Sequence, residues 1–361
     1  MAVPLRWAVV MALAVVTAVT VALLVAGETQ GPACDAARGK GRIGGADGAD
    51  MSTMSDDDLA RVLDAARTAG MWSVRVDVDW SRVEPVQGRR DWTDVDRVMR
   101  AVVAHGMCPL GLVTYAPAWA ADPALRPTGT HFAPTDPRLF ADFAAAAARR
   151  YRDDVMVWEV WNEPNTIQFF QPRPDPAAYG RLLAATHGAV KAVDPHITVV
   201  SGGLAPAEDD GGDIAPTTFL AGLYAGGFNE FFDAFAIHPY SYPALPNAPG
   251  TEAWNTALRV AIMHEEMVAG GDAGKQIWIT ECGAPTGTAA VAVSEDVQAQ
   301  TLDIVLGYAR KTPWIGPAFV YSIRDGGSDA ADAEQNFGVL RRDFSPKPAY
   351  AVVSAFGRGG P

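Results

Sequence analysis

Short apolar runs alternate along the chain with longer stretches whose apolar residues recur every three or four positions. The runs predict eight strands, at residues 41–44, 72–79, 108–114, 155–161, 197–201, 232–237, 276–281 and 318–323. The stretches between them predict helices, because residues at that spacing share one face. Leu59, Val62, Leu63 and Ala66 form one such face, and Val95, Val98, Met99 and Val102 another. Asp56 and Asp91 suit the starts of these two helices. Gly70 and Gly106 fall just past their ends, where a left-handed residue is needed.

Strictly alternating strands and helices predict parallel pairing with right-handed crossovers. Eight units of about 40 residues between 41 and 358 fit a closed (β/α)8 barrel with insertions. The alternative, an open doubly wound sheet, usually carries a Gly-rich turn after its first strand. Gly44-Gly45-Ala46-Asp47-Gly48 echoes that turn without matching its spacing. No internal repeat is visible.

The amino terminus stands apart. Arg6 precedes an uncharged run from Trp7 to Ala26, which as a helix would reach about 30 Å, the thickness of a bilayer core. Residues 1–26 therefore read as a signal peptide or a transmembrane anchor, 27–40 as a Gly- and Ala-rich linker, and 41–361 as the barrel domain. Small residues at Val25-Ala26-Gly27 suit cleavage, whereas the length of the run favours an anchor. Arg6 before the run, with Glu28 and Asp35 beyond it, agrees with the positive-inside rule. Either reading carries the barrel outside the cytoplasm, secreted or membrane-anchored, and limits membrane contact to this segment.

Composition adds exclusions. The net charge of −13 argues against nucleic acid, whose phosphates call for clustered Lys and Arg. Three cysteines, Cys34, Cys108 and Cys282, are too few for a disulfide framework and leave at least one unpaired within the chain. Their pairing is open, and Cys108 and Cys282 read as small core residues. No Cys/His cluster has zinc spacing, so neither a metal nor a cofactor is expected. Oligomeric state cannot be read from the sequence.

The chemistry concentrates at two strand ends. Glu163 lies in Trp158-Glu159-Val160-Trp161-Asn162-Glu163-Pro164-Asn165, and Glu281 in Trp278-Ile279-Thr280-Glu281-Cys282-Gly283. Reacting groups of a parallel barrel collect at the carboxyl ends of strands. Glycosidic cleavage needs one carboxylic acid to protonate the leaving oxygen and one carboxylate on the opposite face of the sugar.

Trp-Asn-Glu-Pro after the fourth strand, with Thr-Glu at the seventh, resembles the retaining glycoside hydrolases of clan A. Within the clan the resemblance runs first to family 39 and next to family 5. It rests also on Ala116-Pro117-Ala118 before Trp119, Asn336-Phe337-Gly338, and Lys347-Pro348-Ala349-Tyr350. It implies a (β/α)8 barrel, a carbohydrate substrate, Glu163 as acid/base and Glu281 as nucleophile. Asn162 is then expected at the sugar 2-hydroxyl, Arg75 beside the nucleophile, and His238 and Tyr240 near both glutamates and the sugar. An extracytoplasmic poly- or oligosaccharide is the expected substrate. A catalytically silent carbohydrate-binding barrel and a transglycosylase are the alternatives.

Residue chemistry adds further candidates. Trp119 and Tyr321 are expected as aromatic platforms for sugar rings, and Phe169 and Phe170 as a rim. Arg324 and Asp325 read as subsite residues or as a loop ion pair. Glu159 should share the inward face of Glu163 one layer deeper.

Overall fold

The computed structural model describes residues 34, 39, 41–47, 50–125 and 131–359, all within the compact unit Cys34–Pro361. The apolar run 7–26 and most of the linker 27–40 lie outside the described residues. Among the described residues no helix is long and apolar enough to cross a membrane.

Eight parallel strands close into a barrel in sequence order, with β1 pairing β8. They are β1 (Ile43–Ala46), β2 (Ser73–Asp79), β3 (Cys108–Thr114), β4 (Val157–Asn162), β5 (Thr198–Gly203), β6 (Ala234–Ile237), β7 (Gln276–Cys282) and β8 (Ile315–Tyr321). One principal helix follows each: α1 (Asp56–Thr68), α2 (Thr93–Ala104), α3 (Pro137–Arg150), α4 (Pro176–Lys191), α5 (Pro216–Ala225), α6 (Thr256–Ala269), α7 (Glu295–Lys311) and α8 (Pro348–Arg358). The fold is a (β/α)8 barrel.

Several strand edges differ from expectation: β4 and β6 each begin two residues late, and β5 runs two residues further, to Gly203. β1 begins two residues later than its apolar pattern predicts, and β8 three residues earlier. Pairing sets these limits: Ile43 to Ala46 run beside Ala318 to Tyr321, and Ile277 of β7 meets Ile315. In α1 the cap is Ser55, whose hydroxyl accepts from the Asp58 amide, and Asp56 is the first helical residue. Asp91 accepts from the Thr93 amide ahead of α2. Gly70 and Gly106 are left-handed, with φ of +80° and +71°.

Period two divides the strand side chains between two cores. Leu110, Val157, Val200, Ala234, Ala236, Trp278 and Phe319 fill the barrel interior. Val74, Val76 and Val78 of β2 face outward and meet the helices, where Leu59, Val62, Leu63, Val98 and Val102 are buried. Each such aliphatic contributes roughly 1.5–3 kcal/mol through removal from water. Cys108 opens β3, and it is not a core thiol: it is disulfide-bonded to Cys34, while Cys282 is free and buried. The bond ties a residue of the expected linker to the barrel.

Candidate active site

The two catalytic-candidate strands both abandon period two near their carboxyl ends. On β4, Glu159 faces the interior and Val160 the outer core. Strict alternation would return Trp161 to the interior. Instead Trp161 is left-handed, at φ 75°, and its ring packs outside the barrel between Phe140 and Phe170. Its indole N–H donates to the Phe169 carbonyl at 2.8 Å. Asn162 and Glu163 are thereby both freed to face the cavity, and Glu163 is itself left-handed at φ 48°. Such conformations in non-glycine residues cost about 1–3 kcal/mol each and gather at functional sites.

β7 reaches the same result by another route. Its register against β8 slips between Ile279 and Cys282, so three residues span what two span on the neighbour. Ile279 and Cys282 stay in the outer core, and Thr280 and Glu281 both turn inward.

Arg75 of β2 joins these strand ends from below. Its Nε donates to Glu159 Oε2 at 2.6 Å, its Nη1 to Glu281 Oε1 at 2.5 Å, and its Nη2 to Asn162 Oδ1 at 2.9 Å. These contacts place Arg75 beside Glu281, where the resemblance put it. Glu159 also accepts from the Gly203 amide and the Thr280 hydroxyl, both at 3.0 Å, and is a buried support one layer down.

Tyr240, after β6, donates its hydroxyl to Glu281 Oε2 at 2.8 Å. His238 holds its Nδ1 2.8 Å from Glu163 Oε1 and 3.5 Å from Glu281 Oε2, with Nε2 3.1 Å from Thr280 Oγ1. Gly203 makes room for that imidazole, because a side-chain carbon there would overlap His238 and Thr280. One carboxylate oxygen of Glu163, one of Glu281 and a ring nitrogen of His238 lie within 4.8 Å of one another. This donor set could hold a cation by type, but the guanidinium of Arg75 already supplies positive charge at Glu281.

The two carboxyls respond in opposite directions. Burial raises Glu163, and the negative charge of Glu281 adds to the rise, against the opposing pull of His238. Burial would raise Glu281 too, but the charges of His238 and Arg75 and the hydroxyl of Tyr240 outweigh it and hold Glu281 below the ordinary range. Burial likewise depresses His238, and the two glutamates overcome it and raise the imidazole. Asp77, two residues beyond Arg75 on the same strand, is pushed up to about 7, mainly by burial, against the lowering effect of Arg75.

Above these groups opens a cavity of about 760 Å³, within the range of ligand pockets. Tyr321 lines it and donates to Glu334 Oε2 at 3.3 Å. Phe169 also lines it, stacked on Tyr115 and tilted against His131. Phe170 is no rim residue, being 1% exposed beneath Trp161. Trp119 lies outside the cavity lining: its indole N–H donates to the Glu84 carbonyl and its ring meets Trp80 edge-on. Arg324 and Asp325 do not pair with each other. Arg324 bonds Asp58, and Asp325 bonds Lys347.

Sequence reasoning missed Asp77, Tyr115, His131, Tyr242, Trp254 and Glu334 in the lining. Period two from Arg75 could have found Asp77, and the end of β3 could have found Tyr115. His131, Tyr242, Trp254 and Glu334 come from long loops and carry no local signal.

No family model matches the chain. A β-xylosidase of Geobacillus stearothermophilus is 31% identical over 140 residues, covering 36% of this chain and 27% of that protein. A family 39 glycoside hydrolase structure from Bacteroides cellulosilyticus is 26% identical, covers 90% of this chain and 65% of its own, and superposes with a TM-score of 0.70. A monomeric β-xylosidase structure from Caulobacter crescentus is 21% identical, with 88% and 67% covered and a TM-score of 0.66. At 18% identity, a family 5 enzyme structure from Streptomyces cattleya shares the fold, with 88% and 79% covered and a TM-score of 0.65. The chain thus spans about a quarter of its curated relative and just under two thirds of the family 39 structure. It resembles the glycoside hydrolases of clan A, and family 39 among them.

Proposed function

We propose that the protein is a retaining glycoside hydrolase acting on a carbohydrate outside the cytoplasm. The observation that carries this reading is the pair of cavity carboxylates, with oxygens within 4.8 Å of each other and opposite pKa shifts. Retaining enzymes hold their carboxyls about 5–5.5 Å apart, and inverting enzymes leave room for an intervening water. In the first step Glu281 attacks the anomeric carbon, the glycosidic C–O bond breaks, and Glu163 gives its proton to the departing oxygen. In the second, Glu163 takes a proton from water, which attacks the same carbon and releases the Glu281 carboxylate.

The relatives named as β-xylosidases make aryl β-xylosides and xylo-oligosaccharides the first substrates to try, followed by a wider glycan panel. NMR of the nascent product reads the anomer: retention is expected, and an inverted product would overturn the mechanism. Absence of hydrolysis across the panel, with glycans still bound, would favour the silent barrel instead. The extracytoplasmic location is supported by the apolar run 7–26 and by the Cys34–Cys108 disulfide, since such bonds persist in oxidising compartments. Fractionation of producing cells checks it, and a cytoplasmic, fully reduced protein would refute it.

A further inference from the structure

The charge of the cavity says more about its ligand than its shape does. Among the described residues five carboxyl groups line it, those of Asp77, Glu163, Asp213, Glu281 and Glu334, against one guanidinium, that of Arg75. Arg75 is already engaged by Glu281 and, from beneath, by Glu159. Burial keeps His131 below the usual histidine range, so it adds no charge at neutral pH. Burial holds Asp77, Glu163 and Glu334 above the ordinary carboxyl range, so they carry their charge only in part, and the raised imidazole of His238 sits beside Glu163 and Glu281. A ligand carrying carboxylate, sulfate or phosphate would still meet no unengaged cation among the described lining residues, and would face Glu281, kept charged by its lowered pKa, in a partly water-excluded space where like charges repel strongly.

Within that lining Asp77 differs from its neighbours. Glu163 and Glu281 accept the hydrogen bonds described above, Asp213 accepts from the Ile167 amide at 2.7 Å, and Glu334 accepts from Tyr321. Asp77 Oδ1 is buried and accepts from nothing among the described residues. A buried acceptor without a partner is costly, on the order of 1–3 kcal/mol. Its strand places it above Arg75 on the inward face, on the cavity wall near Glu281. Sugar rings present hydrogen-bond donors at just such positions, and a donor from the ligand would relieve this oxygen.

We propose that Asp77 binds the sugar next to Glu281 by accepting from a hydroxyl or from the ammonium of a free amino sugar, and that the cavity takes neutral or amino glycans and rejects acidic ones. The inference rests on the glycosidase reading and extends it to substrate class. Its covalent chemistry is that already described.

The test uses the Glu163→Gln variant, which is expected to hold oligosaccharides without turning them over efficiently. Its binding is measured against three sets of probes: neutral oligosaccharides of xylose, glucose and mannose, fully deacetylated chitosan oligosaccharides, and oligogalacturonates. Neutral or amino probes are expected to bind, and oligogalacturonates to bind at least tenfold more weakly. Asp77→Asn in the same background is expected to weaken the bound class at least tenfold. A hydroxyl contact loses similar affinity for neutral and amino probes, whereas an ammonium contact loses far more for the amino set. Oligogalacturonates binding as tightly as the rest would overturn the proposal, and this readout needs no Asp77 variant to fold. An unchanged dissociation constant in a folded Asp77→Asn protein would overturn it too, leaving Asp77 to water. A protein that hydrolyses a neutral glycan with the same KM after Asp77→Asn refutes this inference alone. One that neither binds nor cleaves any glycan refutes the glycosidase reading with it.

Discussion

The ends of β4 and β7 carry the same residue type at the same height of the barrel, yet they treat it differently. Glu281 is held on both oxygens, by Arg75 on one and Tyr240 on the other. Glu163 is held on one oxygen, by His238, and stands on a left-handed backbone. The difference in role is therefore written mainly in other elements: β2 supplies the cation, and the segment after β6 supplies the hydroxyl and the imidazole. A carboxylate fixed and ionised suits a nucleophile, and one buried with a raised pKa suits an acid. Each prediction below tests whether that asymmetry is real.

The largest effect should come from removing the carboxylates and offering azide in their place. Glu281→Ala is expected to lose detectable turnover, and azide should restore it by attacking the sugar from the vacated face, giving the inverted glycosyl azide. Glu163→Ala should lose roughly 10²–10⁴-fold on substrates with poor leaving groups, as general acids do. Azide should then intercept its glycosyl-enzyme and give the retained product. Identical azide products from the two variants would mean that the residues do not divide the work as drawn.

Next in size is Arg75. Its replacement by Met leaves Glu159 and Glu281 buried without their cation, a situation that costs about 3–5 kcal/mol. Stability should fall by that amount in denaturant unfolding at neutral pH. The surviving folded enzyme should need a higher pH to ionise Glu281. A variant as stable as the parent, with an unmoved pH profile, would show that the guanidinium does not anchor the nucleophile.

Much of this was legible in the sequence, and the exceptions are instructive. Period two and helical spacing located all eight strands, because most of each strand is regular. Trp-Asn-Glu-Pro and Thr-Glu marked both glutamates. The same periodicity cannot explain why Asn162 and Glu163 both face the cavity, since strict alternation forbids it. The left-handed turn at Trp161 allows it, and a tryptophan gives no local sign of such a turn. Trp119 and Phe170 looked like platform and rim because they lie in loops. Loop backbone does not say which ring tucks inward, and here Glu84 and Trp161 decide. The Cys34–Cys108 bond, like the place of Glu334 in the cavity, depends on contacts through space between residues far apart in the sequence.

Gly203 gives a subtler test, because it supports the His238 side of the comparison by leaving room for the imidazole, while its contact with Glu163 is only between backbones, the Glu163 amide donating to its carbonyl at 3.0 Å. Gly203→Ala adds a methyl where His238 and Thr280 already sit. Overpacking of that kind costs about 1–3 kcal/mol. The imidazole should be displaced from Glu163, so general-acid assistance should fall while azide-sensitive chemistry at Glu281 persists. Kinetics with leaving groups of graded acidity would read this: the penalty should grow as the leaving group becomes poorer. A uniform loss across the series would point to misfolding of the whole site.

The smallest effect, and the most discriminating, is expected from Tyr240→Phe. Glu281 must be ionised to attack, and its pKa is depressed, so activity is lost as pH falls through that lowered value. Glu163 must be protonated to assist departure, and its pKa is raised, so activity is lost as pH rises through it. The profile of kcat/KM against pH is thus a bell whose acid limb belongs mainly to one strand end and whose alkaline limb belongs mainly to the other. The Tyr240 hydroxyl donates to Glu281 and stabilises its charged form. Removing it should raise the Glu281 pKa toward the ordinary value and move the acid limb to higher pH. Tyr240 makes no hydrogen bond to Glu163, so the alkaline limb should stay nearly in place. If the alkaline limb moved and the acid limb did not, the assignment of acid and nucleophile would have to be exchanged.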